Sequence, residues 1–353
     1  MRRFLLFMLL FLRITAGFTQ SSSPADLLVA EGVRLHDEGK YQEALARFDR
    51  ALKLDKKNGN ALYEAGNTCF ALEDYKQAIK YADKAIKNKG DAVAEAYMLK
   101  GNVLDMQGKT GKAIDVYEEG IRLGYKSHLL HFNLGVTLLK QKKYEASEPE
   151  FIQALKINSS YLSAHYMLGF NNAEQARKVK TLLPFYYFLM IENEGKRADV
   201  AINFIKRTMT EGVERANDKV FTISLNAQTM EDEFSAVDLS LAMIPITREM
   251  TRKALKDSLG VDLPPQPLSQ QLFHYNESLF NILSETTDRP ADTFWWDTYA
   301  HFFIAMHQKG HTEAFTNYIL LHSGDKTVLE WLLANKPKLV DFSDWVKEYE
   351  ERK

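Results

Sequence analysis

Residues 294–311, FWWDTYAHFFIAMHQKGH, bring together an aspartate, three histidines and six aromatic rings. Asp297 and His301 lie one helical turn apart, a spacing at which a carboxylate can orient an imidazole as a general base. His307 and His311 are also four apart, as two ligands of a zinc ion often are. On a helix turning roughly 100° per residue, Trp295, Trp296, Tyr299, Phe302, Phe303 and Met306 share one broad face, and Asp297, His301 and Gln308 lie opposite. An Asp–His pair on that solvated side contributes only tenths of a kcal/mol. Gly310 ends the helix before His311, and Thr312-Glu313 starts another, so the two imidazoles do not share a face. The stretch therefore reads as an amphipathic core helix, the packing centre of its domain. Neither a catalytic residue, a metal site nor a cofactor is assigned to it.

Other chemical signatures are missing from the sequence. There is no Walker A loop, dinucleotide glycine fingerprint, Gly-x-Ser-x-Gly elbow or His-Glu-x-x-His. Cys69, the single cysteine, falls in a helix where a small apolar residue is expected, so it reads as packing. Asn158-Ser159-Ser160 and Asn276-Glu277-Ser278 are glycosylation sequons, meaningful only on a eukaryotic secretory route.

The chain has 353 residues, 45% apolar and 26% charged, the composition of ordinary globular protein in two or three domains. It opens with Met1-Arg2-Arg3, the apolar run FLLFMLLFL, Arg13, and small residues around Thr15, Gly17 and Thr19. That order is a secretory signal peptide over residues 1–19, cleaved between Gly17 and Gln20. The alternative, an uncleaved anchor, needs ~20 apolar residues. The expected address is periplasmic or secreted, with no membrane span once the leader is removed. Losing Arg2, Arg3 and Arg13 takes the formal charge from −2 to −5 and leaves no basic patch for nucleic acid.

The elements that position these residues follow a period. Gly32, Gly66, Gly101, Gly135 and Gly169 recur every 34 or 35 residues. Tyr41, Tyr75 and Tyr144 follow their glycines by nine, with Thr110 in the third place. Ala44, Ala78, Ala113 and Ser147 come next, then Ala51, Ala85, Gly120 and Ala154. Paired helices explain this spacing: small residues let the two helices of a hairpin approach, and each hairpin buries its apolar face on its neighbours. The pattern resembles the tetratricopeptide repeat (TPR) family over about residues 25–195, roughly half of the chain. It departs from that family in lacking the proline that ends each unit; Lys56, Gly90, Tyr125, Ser159 and Asn193 stand there. About five hairpins are expected. The last is degenerate, with Pro184 inside its second helix and Phe185, Tyr186 and Phe188 facing a second domain. The alternative for these rings is an aromatic ligand box.

The resemblance implies a concave surface, lined by first helices, that binds a protein or peptide segment. By phase, one row is Val29, Tyr63, Met98, Phe132 and Tyr166, and the next Val33, Asn67, Asn102, Val136 and Phe170. The candidate peptide-binding residues are Tyr63, Asn67, Phe70, Met98, Asn102, Phe132, Tyr166 and Phe170. Amides there can pair with a bound backbone, and aromatics and Met supply adaptable area. Repeats that clamp the acidic tails of chaperones need Lys or Arg on this face, whereas Asp26, Asn60, Glu95 and Leu129 occupy it. A competing reading buries the same rows against the C-terminal half.

From about residue 196 the repeat signature is lost. Residues 196–353 read as a mostly helical domain with one short strand at 219–226. A helix from about Phe234 is interrupted near Pro245, a proline-rich loop spans 260–269, and helices follow near 269–284, 292–308, 312–322, 327–335 and 342–351. This half is similar to uncharacterised exported bacterial TPR proteins. The fold class is mainly all-α: a helical-hairpin solenoid followed by a helical domain. The function expected is an exported interaction module or scaffold. The alternatives are an enzyme with its site in residues 196–353, and an envelope component whose groove is filled by its own chain.

Overall fold

The computed structural model describes residues 23–215, 221–223, 232–261, 264, 266–286 and 294–352. The expected leader, most of the 219–226 segment and part of the proline-rich loop lie outside them. The chain divides into two compact units between Val103 and Leu104.

The first unit contains α1 (Pro24–Asp37), α2 (Tyr41–Leu54), α3 (Gly59–Ala71), α4 (Tyr75–Asn88) and most of α5 (Val93–Met106). Ser23 opens α1 with a capping box: its hydroxyl accepts from the Asp26 amide, and the Asp26 carboxylate accepts from the Ser23 amide. Asn58 caps α3 by accepting from the Ala61 amide at 2.8 Å. A Cβ on Gly32 would stand 2.4 Å from the Phe48 ring, so the period of glycines records where a first helix touches a second. Ala44, Ala51, Ala65 and Ala78 are fully buried around these crossings.

The second unit continues with α6 (Thr110–Arg122), α7 (His128–Lys140), α8 (Tyr144–Ile157), α9 (Leu162–Ala173) and α10 (Lys178–Ile191). Gly135 meets Phe151, and Gly169 meets Phe185, as Gly32 meets Phe48. Ser147 replaces the usual alanine and stays buried because its hydroxyl donates to the Gly135 carbonyl at 2.8 Å. α10 runs unbroken through Pro184. Its tyrosine and phenylalanines do not all face one way. Tyr186 meets Phe280, Phe303 and Phe315 of the C-terminal helices, whereas Phe185 lies under Tyr166 and Phe204, and Phe188 under Tyr166.

α11 (Lys196–Thr210) follows and packs on α9 and α10. A short antiparallel pair, β1 (Val213–Arg215) and β2 (Phe221–Ile223), joins Val213 to Ile223 and Arg215 to Phe221. The expected strand thus has a partner just after α11. α12 (Ser235–Leu259) is a single helix with Pro245 inside it; the interruption expected there does not occur. α13 (Leu268–Glu285) is followed by a π-helical turn, Trp296–Ala300, running into α14 (His301–Gln308). α15 (Thr312–Ile319), α16 (Lys326–Ala334) and α17 (Lys336–Glu351) complete the chain. Trp295, Trp296, Tyr299, Phe302, Phe303 and Met306 are all buried, as their shared face required. Burial also reaches Phe294, Ala300 and Ile304, because several helices surround this segment. Among the described residues, no helix is long and apolar enough to cross a membrane.

Candidate interaction site

Tyr63, Asn67 and Phe70 stand on α3, Met98 and Asn102 on α5, Phe132 on α7, and Tyr166 and Phe170 on α9. All eight are half-buried, neither sealed in the core nor fully in solvent. In the first unit, the phenol of Tyr63 is pushed up to about 12, by burial first and then by the charges of Glu64 and Glu95. Burial also pushes Glu64 above the usual carboxylate range, and the charge of Asp37 adds to it. His36 supports this surface from below: its Nδ1–H donates to the Thr68 hydroxyl at 2.8 Å, since that hydroxyl itself donates to the Glu64 carbonyl.

In the second unit the rings form a chain. Phe132 meets Tyr161 edge-on at 5.0 Å, and Tyr161 meets His128 at 4.8 Å. Tyr166 lies 5.0 Å from Phe188, and the Arg197 guanidinium sits 5.1 Å above its ring. Phe170 meets Phe204 of α11 at 5.0 Å. Phe204 follows Phe170 by 34 residues, so α11 carries the row one helix beyond the last glycine of the period. Sequence reading missed this because Asn203 stands where the next glycine would fall.

The C-terminal helices dock on second helices of the hairpins. Tyr186 of α10 donates its hydroxyl to Asn276 of α13 at 2.5 Å, and Tyr318 of α15 donates to the Met190 carbonyl at 3.2 Å. The rings that touch Phe132, Tyr166 and Phe170 belong to α8, α10 and α11 or to the connection before α9. Burial of this row under α12–α17, the self-filled alternative, finds no such contact among the described residues.

A buried polar junction that the sequence reading did not identify joins α8, α10, α11 and α12. Arg177 donates to Glu148 at 2.6 Å, and Lys180 lies 3.0 Å from Asp232 and 3.4 Å from Glu233. Trp296 donates its indole N–H to Glu233 at 3.1 Å. Asp238 accepts from the Lys178 and Val179 amides at 2.9 and 2.8 Å, capping α10, while the Lys178 ammonium donates to the Thr208 and Glu211 carbonyls at the end of α11. Burial pushes Asp238 up to about 7. Each of these charges satisfies a helix end or another buried charge, which makes the junction a joint between helices.

The histidines of residues 294–311 are dispersed. His301 stays one turn from Asp297 at 3.4 Å with both side chains in solvent. His307 bonds Thr312 and Asn281, and His311 packs against Phe342 and Trp345. Gly310, at φ 78°, turns the chain between them. Asn276 of the second sequon is fully buried. Cys69 is buried too, its thiol pushed up to about 11 by burial.

Two family models described as tetratricopeptide repeat match this sequence, one over residues 35–103 and the other over residues 98–163. TPR repeat-containing protein MJ1428 of Methanocaldococcus jannaschii is 26% identical over 148 residues, 42% of this chain and 26% of that protein. The heat shock protein sti1 homolog of Schizosaccharomyces pombe is 34% identical over 99 residues, 28% of this chain and 16% of that one. The chain thus spans about a quarter or less of the length of these curated relatives. Among solved structures, pilF of Pseudomonas aeruginosa is similar over 64% of this chain and 92% of its own, at 17% identity and a TM-score of 0.46. Through the repeats at residues 35–163 the chain belongs to the tetratricopeptide repeat family.

Proposed function

We propose that this chain is an exported interaction module that holds a segment of a partner protein on the inner faces of its repeat helices. The family supports a protein-interaction or scaffold role in general. The narrower reading is carried by one observation: the inner-face rings, amides and methionine are half-buried, while the C-terminal helices spend their apolar surface on α10. Half-buried aromatics and amides supply contact area and hydrogen bonds to an incoming segment without first having to leave a core.

The test is crosslinking and pull-down from the native envelope with the full chain and with Asn67→Ala/Asn102→Ala. Loss of a partner band at unchanged helicity supports the reading, and unchanged capture overturns it. Export is tested separately. Residues 1–19 fused to a reporter that is active only outside the cytoplasm should give signal, and a silent fusion counts against the leader.

A further inference from the structure

The inner face of the first unit carries charge of one sign. Asp37, Glu64 and Glu95 stand around Tyr63: Asp37 and Glu64 are close enough to raise one another's energy, and Glu64 and Glu95 both act on the Tyr63 phenol. Oε2 of Glu95 is buried and accepts no hydrogen bond. Among the described residues, none of the three carboxylates has an ion-pair partner. The cations nearby are committed elsewhere, Arg47 to Glu31, Lys100 to Asp83, and both Arg34 and Lys40 to Glu38. Asp26 is not part of this set, because its oxygens serve Ser23 and Asn58.

A buried carboxylate oxygen without a partner, among like charges and beside an aromatic face, is an unfavourable arrangement unless something neutralises it. We propose that the first unit selects a partner segment bearing a lysine or arginine, whose cation sits among Glu64, Glu95 and the Tyr63 ring. The inference rests on the interaction reading above and narrows it to one chemistry of partner. Two carboxylates supply the charge, and the ring adds a cation–π contact of the kind a desolvated ammonium or guanidinium makes. Apolar neighbours Phe70 and Met98 take the aliphatic stem or a flanking side chain. An acidic segment would meet the same carboxylates and be repelled.

The experiment presents the purified full chain to three matched sets of immobilised 15-residue peptides. Each set has randomised apolar and polar positions and two fixed residues, either both lysine, both glutamate or both glutamine. The expected result is preferential capture of the lysine set, weakening as salt rises from 50 to 300 mM. Glu64→Gln/Glu95→Gln should lose about tenfold in affinity for that set, the worth of two partly screened ionic contacts. The glutamine side chains keep the shape, and circular dichroism confirms the fold. Capture with no preference for lysine, or a preference that survives the double substitution, overturns this inference and leaves the interaction reading standing. Capture of no set overturns both.

Discussion

The Nδ1 atom of His165, on the first helix of the fifth hairpin, lies 2.6 Å from the hydroxyl of Tyr299 in the π-helical turn. Nε2 lies 2.8 Å from the Ser159 carbonyl. A carbonyl can only accept, so Nε2 carries the proton and Nδ1 accepts from the tyrosine. The imidazole is therefore held neutral, tying the repeats to the C-terminal helices through one buried bond.

That bond predicts acid sensitivity. Burial pushes His165 down to about 4 from its ordinary 6.5. A depressed histidine favours folding while it is neutral, so its contribution is complete above pH 6.5 and is lost as pH falls towards 4. The full effect is on the order of 3 kcal/mol. Urea unfolding between pH 7.5 and 4 should show this decline in the native chain. His165→Gln should be less stable at pH 7.5 but flatter across the window. An equally steep decline in the variant would assign the acid sensitivity to other groups.

Asp238 predicts the opposite trend. Its folded value of about 7 stands above the ordinary 3.8, chiefly through burial, against the two amide bonds that it accepts. Its contribution is complete below pH 3.8 and is lost as pH rises through 7. Asp238→Asn keeps one acceptor for the start of α10 and removes the charge. Relative to the native chain, the variant should therefore gain in stability as pH rises from 4 to 8. Asp238→Ala leaves both amides without a partner and should cost about 1–3 kcal/mol at every pH. Parallel pH profiles for Asn and native chains would remove Asp238 as the source of the slope.

Much of the repeat region was legible because close helix approach leaves a mark in composition. A glycine facing a ring cannot become alanine without a clash, and Gly32 against Phe48 shows why. The amphipathic stretch 294–311 was legible for a related reason: ring burial is periodic, and a single π turn did not scramble it. Contacts made through groups with many allowed identities were not legible. Nothing about Asp238 in isolation announces that it caps α10, 60 residues earlier in sequence. The continuation into α11 was hidden because a terminal helix has a neighbour on one side only, which removes the need for glycine at Asn203. Pro245 did not interrupt α12, since a proline there cancels one backbone bond without preventing the helix on either side.

Another period became visible only in the backbone. Gly39, Glu73, Gly108, Lys142 and Ala176 occupy the turns between paired helices, spaced 34 or 35 apart, and all five have positive φ. Glycine fills two of the five, so side chains at the other three bear the cost of left-handed backbone, about 1–2 kcal/mol. Glycine returns part of that gain as unfolded-chain entropy, leaving about 0.5–1 kcal/mol for each replacement. Ala176→Gly is the cleanest case because Ala176 is exposed. Glu73→Gly, Lys142→Gly and Ala176→Gly together should raise the thermal midpoint by several degrees, and Gly39→Ala should lower it. A calorimetric midpoint that does not move would mean that local contacts of the native side chains offset the strain.

The deepest contact between repeats and C-terminal helices is open to the same kind of measurement. Asn276 accepts from the Tyr186 hydroxyl at 2.5 Å and donates to Thr316 at 3.0 Å, and both side chains are fully buried. Asn276→Ala leaves the tyrosine hydroxyl in the core without an acceptor, which costs more than the bond itself contributes. The loss should be about 2–3 kcal/mol. Tyr186→Phe removes the hydroxyl but leaves an amide oxygen unpaired, a smaller loss because that amide still donates to Thr316. In Tyr186→Phe/Asn276→Ala neither orphan remains, so the double variant should be more stable than the sum of the two single losses. Urea unfolding of the four proteins gives that coupling energy directly. Strict additivity would show that the two groups do not depend on each other, and the 2.5 Å bond would then have no part in holding α13 to α10.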